Sequence, residues 1–190
     1  MQLPLPLHFD KNKVLQQIHP LKDVDGLTIE NQGLLFSSQA RFIPCTPLGC
    51  LHILEKLTTL RGKNVTVVGR SSLVGRPLAA ILTRHDATVT LAHRFTENLS
   101  RHTQSADIVI SAVGQPGLIR GADIKDGSII LDVGITRVGD QLKGDVDFES
   151  VSPKCAAITP VPGGIGPMTI ASLMQNTLHA YKLNVKSEYS

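Results

Sequence analysis

The 190-residue chain carries 42% hydrophobic and 18% charged residues, which describes a globular protein long enough to bury a core. Its net charge of +3 comes from 19 basic and 16 acidic residues spread along the sequence, and aromatic residues make up only 4%, so neither a nucleic-acid surface nor a base-stacking platform is expected. No apolar run reaches transmembrane length, the start Met1-Gln2-Leu3-Pro4-Leu5-Pro6 lacks signal-peptide character, and three cysteines (Cys45, Cys50, Cys155) without a CxxC speak against disulfides or zinc, so the expectation is a cytoplasmic protein with buried, reduced thiols and no membrane partner.

In chain order, Gln2 to Pro6 is extended, because its prolines exclude a helix. Asp10 reads as the N-cap of a short helix from Lys11 to Ile18, ended by His19-Pro20. Asp23-Val24-Asp25-Gly26 reads as a turn. Thr46-Pro47 reads as a helix start, followed by Leu48, Leu51, Leu54 and Leu57 at near-helical spacing and closed by Leu60 and Gly62.

From Lys63 the pattern changes to short buried strands alternating with helices. Strands are expected at Val65–Val68, Thr88–Leu91, Ile108–Ile110, Ser128–Val133 and Ala156–Thr159. Helices are expected at Gly75–His85, Leu99–Gln104 and Ile170–Tyr181, and Gly139-Asp140 reads as the turn of a hairpin between Ile135–Val138 and Gln141–Lys143. This order predicts an α/β fold with a Rossmann-like parallel sheet, without internal sequence repeats or linkers. Such sheets bind ligands beyond the carboxyl ends of their strands, so Gly69, His93, Gly114, Gly134 and Pro160 are expected on one rim.

Two segments on that rim carry chemistry. Gly69-Arg70-Ser71-Ser72-Leu73-Val74-Gly75 joins a strand to a helix, with Gly69 for a tight turn, Gly75 for close helix–sheet packing and free N–H groups for a pyrophosphate; a serine replaces the usual second glycine. Where NAD enzymes carry an acid after the second strand, this chain has His93-Arg94, with Arg70 nearby in the first loop. Two guanidinium groups suit a ribose 2′-phosphate, which favours NADP over NAD; the competing reading is that Arg94 is solvated surface. The second segment, Thr159 to Thr169, packs three glycines and three prolines into eleven residues. It reads as a stiff loop presenting bare backbone to a flat ligand, with Thr169 opening the last helix, against the alternative of a purely structural loop.

Together with Pro44-Cys45-Thr46-Pro47 and Lys22-Asp23-Val24-Asp25-Gly26, these segments resemble the bifunctional methylenetetrahydrofolate dehydrogenase/methenyltetrahydrofolate cyclohydrolase family, over essentially the whole chain. The resemblance implies an NADP-dependent oxidation of 5,10-methylene-tetrahydrofolate, hydrolysis of the methenyl product, a cleft between two domains, and a homodimer. It implies cofactor contacts at Gly69, Arg70, Ser71, Arg94, Ile135 and Thr169, and folate contacts at Asp25, Pro162, Gly163, Gly164, Ile165 and Gly166. Gln2 matches a glutamine that bonds the catalytic lysine, although a residue beside a terminus is ordinarily mobile. An Asx-turn with Gly26 is a second role open to Asp25.

The family places a segment with a Tyr-x-x-x-Lys motif before the Gln2 strand, and neither Tyr181 nor Tyr189 is followed by such a lysine. The expectation is therefore an entire NADP-binding domain at 47–167 beside a truncated folate domain at 1–46 and 168–190. Impaired catalysis and exposed apolar faces on the Gln2 strand, the Thr46 helix and the last helix follow from it. The alternatives are a non-catalytic NADP-binding or interaction module and an unrelated Rossmann-like dehydrogenase. The seven histidines show no metal-ligand spacing, and only His93 falls at the rim. Asp107 and Asp132 are expected to serve caps or turns.

Overall fold

The computed structural model describes residues 5–188. Asp10 caps α1 (Lys11–Leu15), its carboxylate accepting the N–H groups of Asn12 at 2.9 Å and Lys13 at 3.2 Å. The cap stands where expected, but the helix ends before Ile18. The N–H groups of Gln17 and Ile18 turn to carbonyls three residues back, which tightens the chain out of α geometry. Helix α2 (Ile29–Phe36) has no counterpart in the sequence reading. It buries only Asn31 and Leu35, too little for an apolar periodicity, and is held by Thr28, whose hydroxyl accepts the Asn31 N–H.

Helix α3 (Cys45–Leu57) begins one residue before Thr46, which is therefore not its cap. Pro44 occupies the N-cap, its carbonyl accepting the Leu48 N–H at 2.9 Å, and Pro47 sits in the first turn, where a missing N–H costs nothing. The helix stops at Leu57 rather than running on to Leu60.

The alternating elements that follow match the expected order. They are β1 (Asn64–Val68), α4 (Gly75–Arg84), β2 (Thr88–Ala92), α5 (Leu99–Gln104), β3 (Ile108–Ser111), β4 (Ile129–Asp132), the hairpin β5 (Thr136–Val138) and β6 (Gln141–Lys143), and β7 (Ala157–Ile158), with one short helix that the sequence does not announce, α6 (Phe148–Val151), before β7. The five parallel strands lie in the order β2-β1-β3-β4-β7, and β5-β6 form a separate antiparallel pair. The chain leaves β1 toward β2, then crosses back to place β3 on the other side, so the topological switch point lies between β1 and β3.

Strands β1, β3 and β4 are buried almost continuously, and successive side chains go to opposite faces of the sheet. Val65 and Val67, Ile108 and Ile110, and Leu131 face a core shared with Leu48, Leu51 and Leu54 of α3 and Leu78, Ile81 and Leu82 of α4. Val68, Val109 and Ile130 face a second core with Ile119, Ile124, Val146 and Val151. Both faces are covered, as a parallel sheet requires, and each fully buried Leu or Ile contributes about 1.5–3 kcal/mol.

The last helix, α7 (Ile165–Glu188), starts inside the proline-glycine segment and not at Thr169. Pro167 lies in its first turn, where the helix demands no N–H from it, so the proline does not delay the start. Helix α7 packs chiefly on α3. A Cβ on Gly49 would stand 3.0 Å from Met168 Cβ and 3.1 Å from its carbonyl carbon, so any larger residue would have to push the two helices slightly apart. Buried Asn176 pins α7 to the preceding chain, donating to the carbonyls of Val24 (2.7 Å) and Ile43 (2.8 Å).

Candidate functional site

Register brings the strand ends level. Val68 pairs with Ala92 on one side and Ser111 on the other, and Ser111 pairs with Asp132. Gly69, His93, Gly114, Gly134 and Pro160 follow these ends, so the expected rim forms.

Gly69 adopts φ +114°, and a Cβ there would stand 2.6 Å from the Ala112 carbonyl oxygen. A Cβ on Gly75 would meet the Gly69 carbonyl oxygen at 1.8 Å. Both glycines are required by the turn itself. Between them, the Ser71 hydroxyl accepts the N–H groups of Val74 (3.1 Å) and Gly75 (3.4 Å), taking up donors at the start of α4. Its own proton remains available to a ligand, and the N–H groups of Arg70, Ser71, Ser72 and Leu73 make no hydrogen bond among the described residues. Donors for an anion thus lie in the loop more than at the helix end.

Arg70 and Arg94 each stand two residues beyond the paired Val68 and Ala92, and both are exposed. The Arg94 guanidinium carbon lies 4.5 Å from the centre of the Phe95 ring. Phe95, a residue the sequence reading passed over, is 65% exposed; an aromatic directly after a strand-end arginine was its only signal.

At the other end of the rim, Val161-Pro162 is a cis peptide, Gly163 has φ +102° with open space where its Cβ would be, and Pro162 is exposed. This is bare backbone facing outward. Gly164 is tighter, its absent Cβ falling 2.5 Å from the Pro160 carbonyl oxygen. Ile165 is 5% exposed and sits in the core, so it can offer a ligand only its backbone. Gly166 is exposed. Thr169 lies one turn into α7, its hydroxyl donating to the Ile165 carbonyl at 3.2 Å beside Thr46 Oγ1. Ile135 is exposed directly after Gly134. The first loop and this last one are separated by three strand spacings, about 14 Å.

Two buried carboxylates hold the middle of the rim. Asp132 accepts the N–H groups of Gly134, Asp145 and Val146 at 2.9–3.1 Å. Asp145, absent from the sequence reading, accepts Ser111 Oγ (2.9 Å) and the N–H groups of Val113 (2.8 Å) and Gln115 (2.7 Å). Each carboxylate fills the space where a Cβ of Gly144 or Gly134 would stand. Burial pushes the Asp132 carboxyl above its ordinary range, with the nearby Asp145 charge adding to it against the three N–H donors. In sequence, Asp145 looks like one more solvated turn acid, and only Gly144 before it hinted otherwise. Asp107, at the opposite pole of the sheet, accepts the Asn64 N–H and Lys125 Nζ, and Lys125 holds its pKa down. Both aspartates named in sequence therefore serve as structural acceptors.

Asp25 lies beside the buried Cys45. Burial pushes the Cys45 thiol up to about 12, and Asp25 contributes to that rise. The turn predicted there is present, with Gly26 at φ +63°. Its neighbour Asp23 is buried and holds the segment together through Leu27 N–H, Thr28 N–H and Asn31 Nδ2. Gln2 lies outside the described residues. Among the described residues no cluster of three metal-ligating side chains occurs, and no helix is long and apolar enough to cross a membrane.

The sequence model described as the tetrahydrofolate dehydrogenase/cyclohydrolase NAD(P)-binding domain matches residues 44–185. Bifunctional protein FolD of Sulfurovum sp. is 52% identical over 184 residues, covering 96% of this chain and 66% of that protein. That of Hydrogenobaculum sp. is 49% identical, covering 97% and 68%. The crystal structure of the Campylobacter jejuni bifunctional FolD enzyme superposes with a TM-score of 0.94 at 46% identity, covering 96% of this chain and 66% of that one. The Trypanosoma brucei enzyme, solved with NADP cofactor and an inhibitor, superposes at 0.93 with 42% identity, covering 97% and 66%. The chain spans about two thirds of the length of the relatives it matches.

Proposed function

The chain belongs to the tetrahydrofolate dehydrogenase/cyclohydrolase family, and from that premise we propose that its rim binds NADP and presents it to a tetrahydrofolate derivative. The observation that carries this is the level row of strand ends, with anion-ready loop and paired arginines at one end and bare proline-glycine backbone at the other. The loop N–H groups and the Ser71 proton suit a pyrophosphate beside Gly69. Arg70 and Arg94, ending adjacent strands, suit a 2′-phosphate. Ile135 and Thr169 lie toward the far end, where the nicotinamide half would reach. When bound, NADP supplies the hydride acceptor; the chain's residues hold and orient the reactants and restrict water.

On the folate side the roles proposed are those of Asp25, as a carboxylate for the amino-pyrimidinone edge of a pterin, and of the 162–166 loop, as a flat backbone surface. Gln2 keeps only the accessory role the resemblance implies. The division into a cofactor domain at 47–167 and a folate part at 1–46 and 168–190 belongs to the same proposal, as do a homodimer and a cytoplasmic setting in one-carbon metabolism. NADP selectivity is supported by the arginine pair and by the NADP-bound relative.

These 190 residues contain no Tyr-x-x-x-Lys motif, which favours a second reading: on their own they act as an NADP-binding module with little cyclohydrolase turnover. Fluorescence titration of the purified 190-residue polypeptide tests the first reading. NADPH binding at least tenfold tighter than NADH is expected, and equal affinities or none would overturn it. Dehydrogenase and cyclohydrolase assays on the same sample decide between the readings, since family-like turnover would eliminate the module.

A further inference from the structure

Phe95 is exposed over 65% of its surface and stands in a tight strand-end turn. The turn fixes it closely. The His93 N–H donates to Thr96 Oγ1 at 2.8 Å, the Thr96 N–H to the His93 carbonyl at 2.8 Å, and the Phe95 N–H to His93 Nδ1 at 3.2 Å. The His93 ring meets the Phe95 ring edge-on, with centroids 6.3 Å apart and planes at 70°. One face of Phe95 carries the Arg94 guanidinium, 4.5 Å from the ring centre. Among the described residues no carboxylate forms an ion pair with Arg94. The aromatic face is therefore the partner that restrains an otherwise freely rotating side chain, and it does so without neutralising the charge.

We propose that Phe95 is a positioning residue for dinucleotide selectivity: its ring holds the Arg94 guanidinium over the end of β2, ready for the ribose 2′-phosphate. This rests on the cofactor reading above. A guanidinium held over a ring face keeps its N–H fork available for two parallel hydrogen bonds to phosphate, and less side-chain freedom is lost when the anion arrives. A ring that instead stacked on the adenine would serve NADPH and NADH alike, because both carry the same base.

The experiment compares wild type, Phe95→Leu, Phe95→Tyr, Arg94→Met and the Phe95→Leu/Arg94→Met double variant of the full chain, with NADPH and NADH affinities measured by fluorescence. Phe95→Leu is expected to weaken NADPH about three- to fivefold, leave NADH unchanged, and add nothing once Arg94 is gone. Phe95→Tyr, which keeps an aromatic face, should restore the wild-type ratio. Equal weakening of both dinucleotides, no weakening, or an effect that persists without Arg94 would overturn the proposal. If wild type shows no preference for NADPH, the cofactor reading falls first and this inference with it; if Arg94→Met abolishes a preference that Phe95→Leu spares, only the inference falls.

Discussion

At the scale of single residues, the rim depends on acceptors that are buried and fully used. Asp145 is the strongest case, since its carboxylate holds Ser111 and the two N–H groups that set the path of the Val113–Gln115 loop. Asp145→Asn replaces one acceptor with a donor facing those N–H groups. It should cost about 3 kcal/mol in urea unfolding and weaken NADPH binding as the loop shifts. The thiols give a second expectation at this scale. Burial pushes Cys45 and Cys50 up to about 12, so both remain protonated in the folded protein at neutral pH. Their folded pKa values lie above the unfolded ones, so the unfolded chain loses these protons first. The thiol contribution to stability should be constant below about pH 8 and fall as pH climbs through the unfolded thiol pKa toward the folded one, by up to about 1.4 kcal/mol per pH unit for each thiol. Urea titrations from pH 7 to 10.5 on wild type and on Cys50→Ala check this, and an equally steep alkaline limb in the variant would assign it elsewhere.

At the scale of elements, the first βα unit is held by two glycines that leave no room for a side chain. Gly75→Ala would drive a methyl group into the Gly69 carbonyl oxygen, a backbone atom that cannot move without opening the turn. The expected result is a loss of about 3 kcal/mol or more together with loss of NADPH binding. Thermal unfolding and titration read the two effects separately. Helix α7 shows how an element can defy local signals. Its proline lies so early that it leaves the backbone hydrogen bonds intact, and the helix takes in half of what reads as a loop.

At the scale of the whole molecule, α7 carries two faces. Ser172, Asn176 and Ala180 are buried against the protein, while Ile170, Met174, Leu178 and Tyr181 form an exposed apolar stripe at helical spacing, with Leu7 and Phe9 also exposed. A stripe of this kind favours association. The 190-residue polypeptide should bind a hydrophobic dye and elute larger than a monomer in light-scattering chromatography, and Met174→Lys/Leu178→Lys should reduce both signals. An unchanged elution would show that the stripe does not mediate contacts. The exposed face expected from the sequence is thus present on the last helix, whereas the Thr46 helix buries its apolar face, with Leu48, Leu51 and Leu54 in the core, and Gln2 lies outside the described residues.

The sequence by itself determined the alternation of strands and helices, the carboxyl-end rim and the two special loops, because these rest on local causes: short continuous apolar runs, proline's missing donor and glycine's freedom at Gly69 and Gly163. It left α2 unseen, misplaced the starts of α3 and α7 and missed Asp145 and Phe95. Asp145 depends on partners far along the chain, such as the Ser111 hydroxyl 34 residues away, whereas the contacts of Phe95 with Arg94 and His93 are local and only its exposure needed the packed chain to be seen. Only the tertiary structure decided that an ordinary-looking turn aspartate is a buried anchor and that Ile165 belongs to the core, because burial and hydrogen-bond satisfaction are properties of the packed chain and not of any short segment.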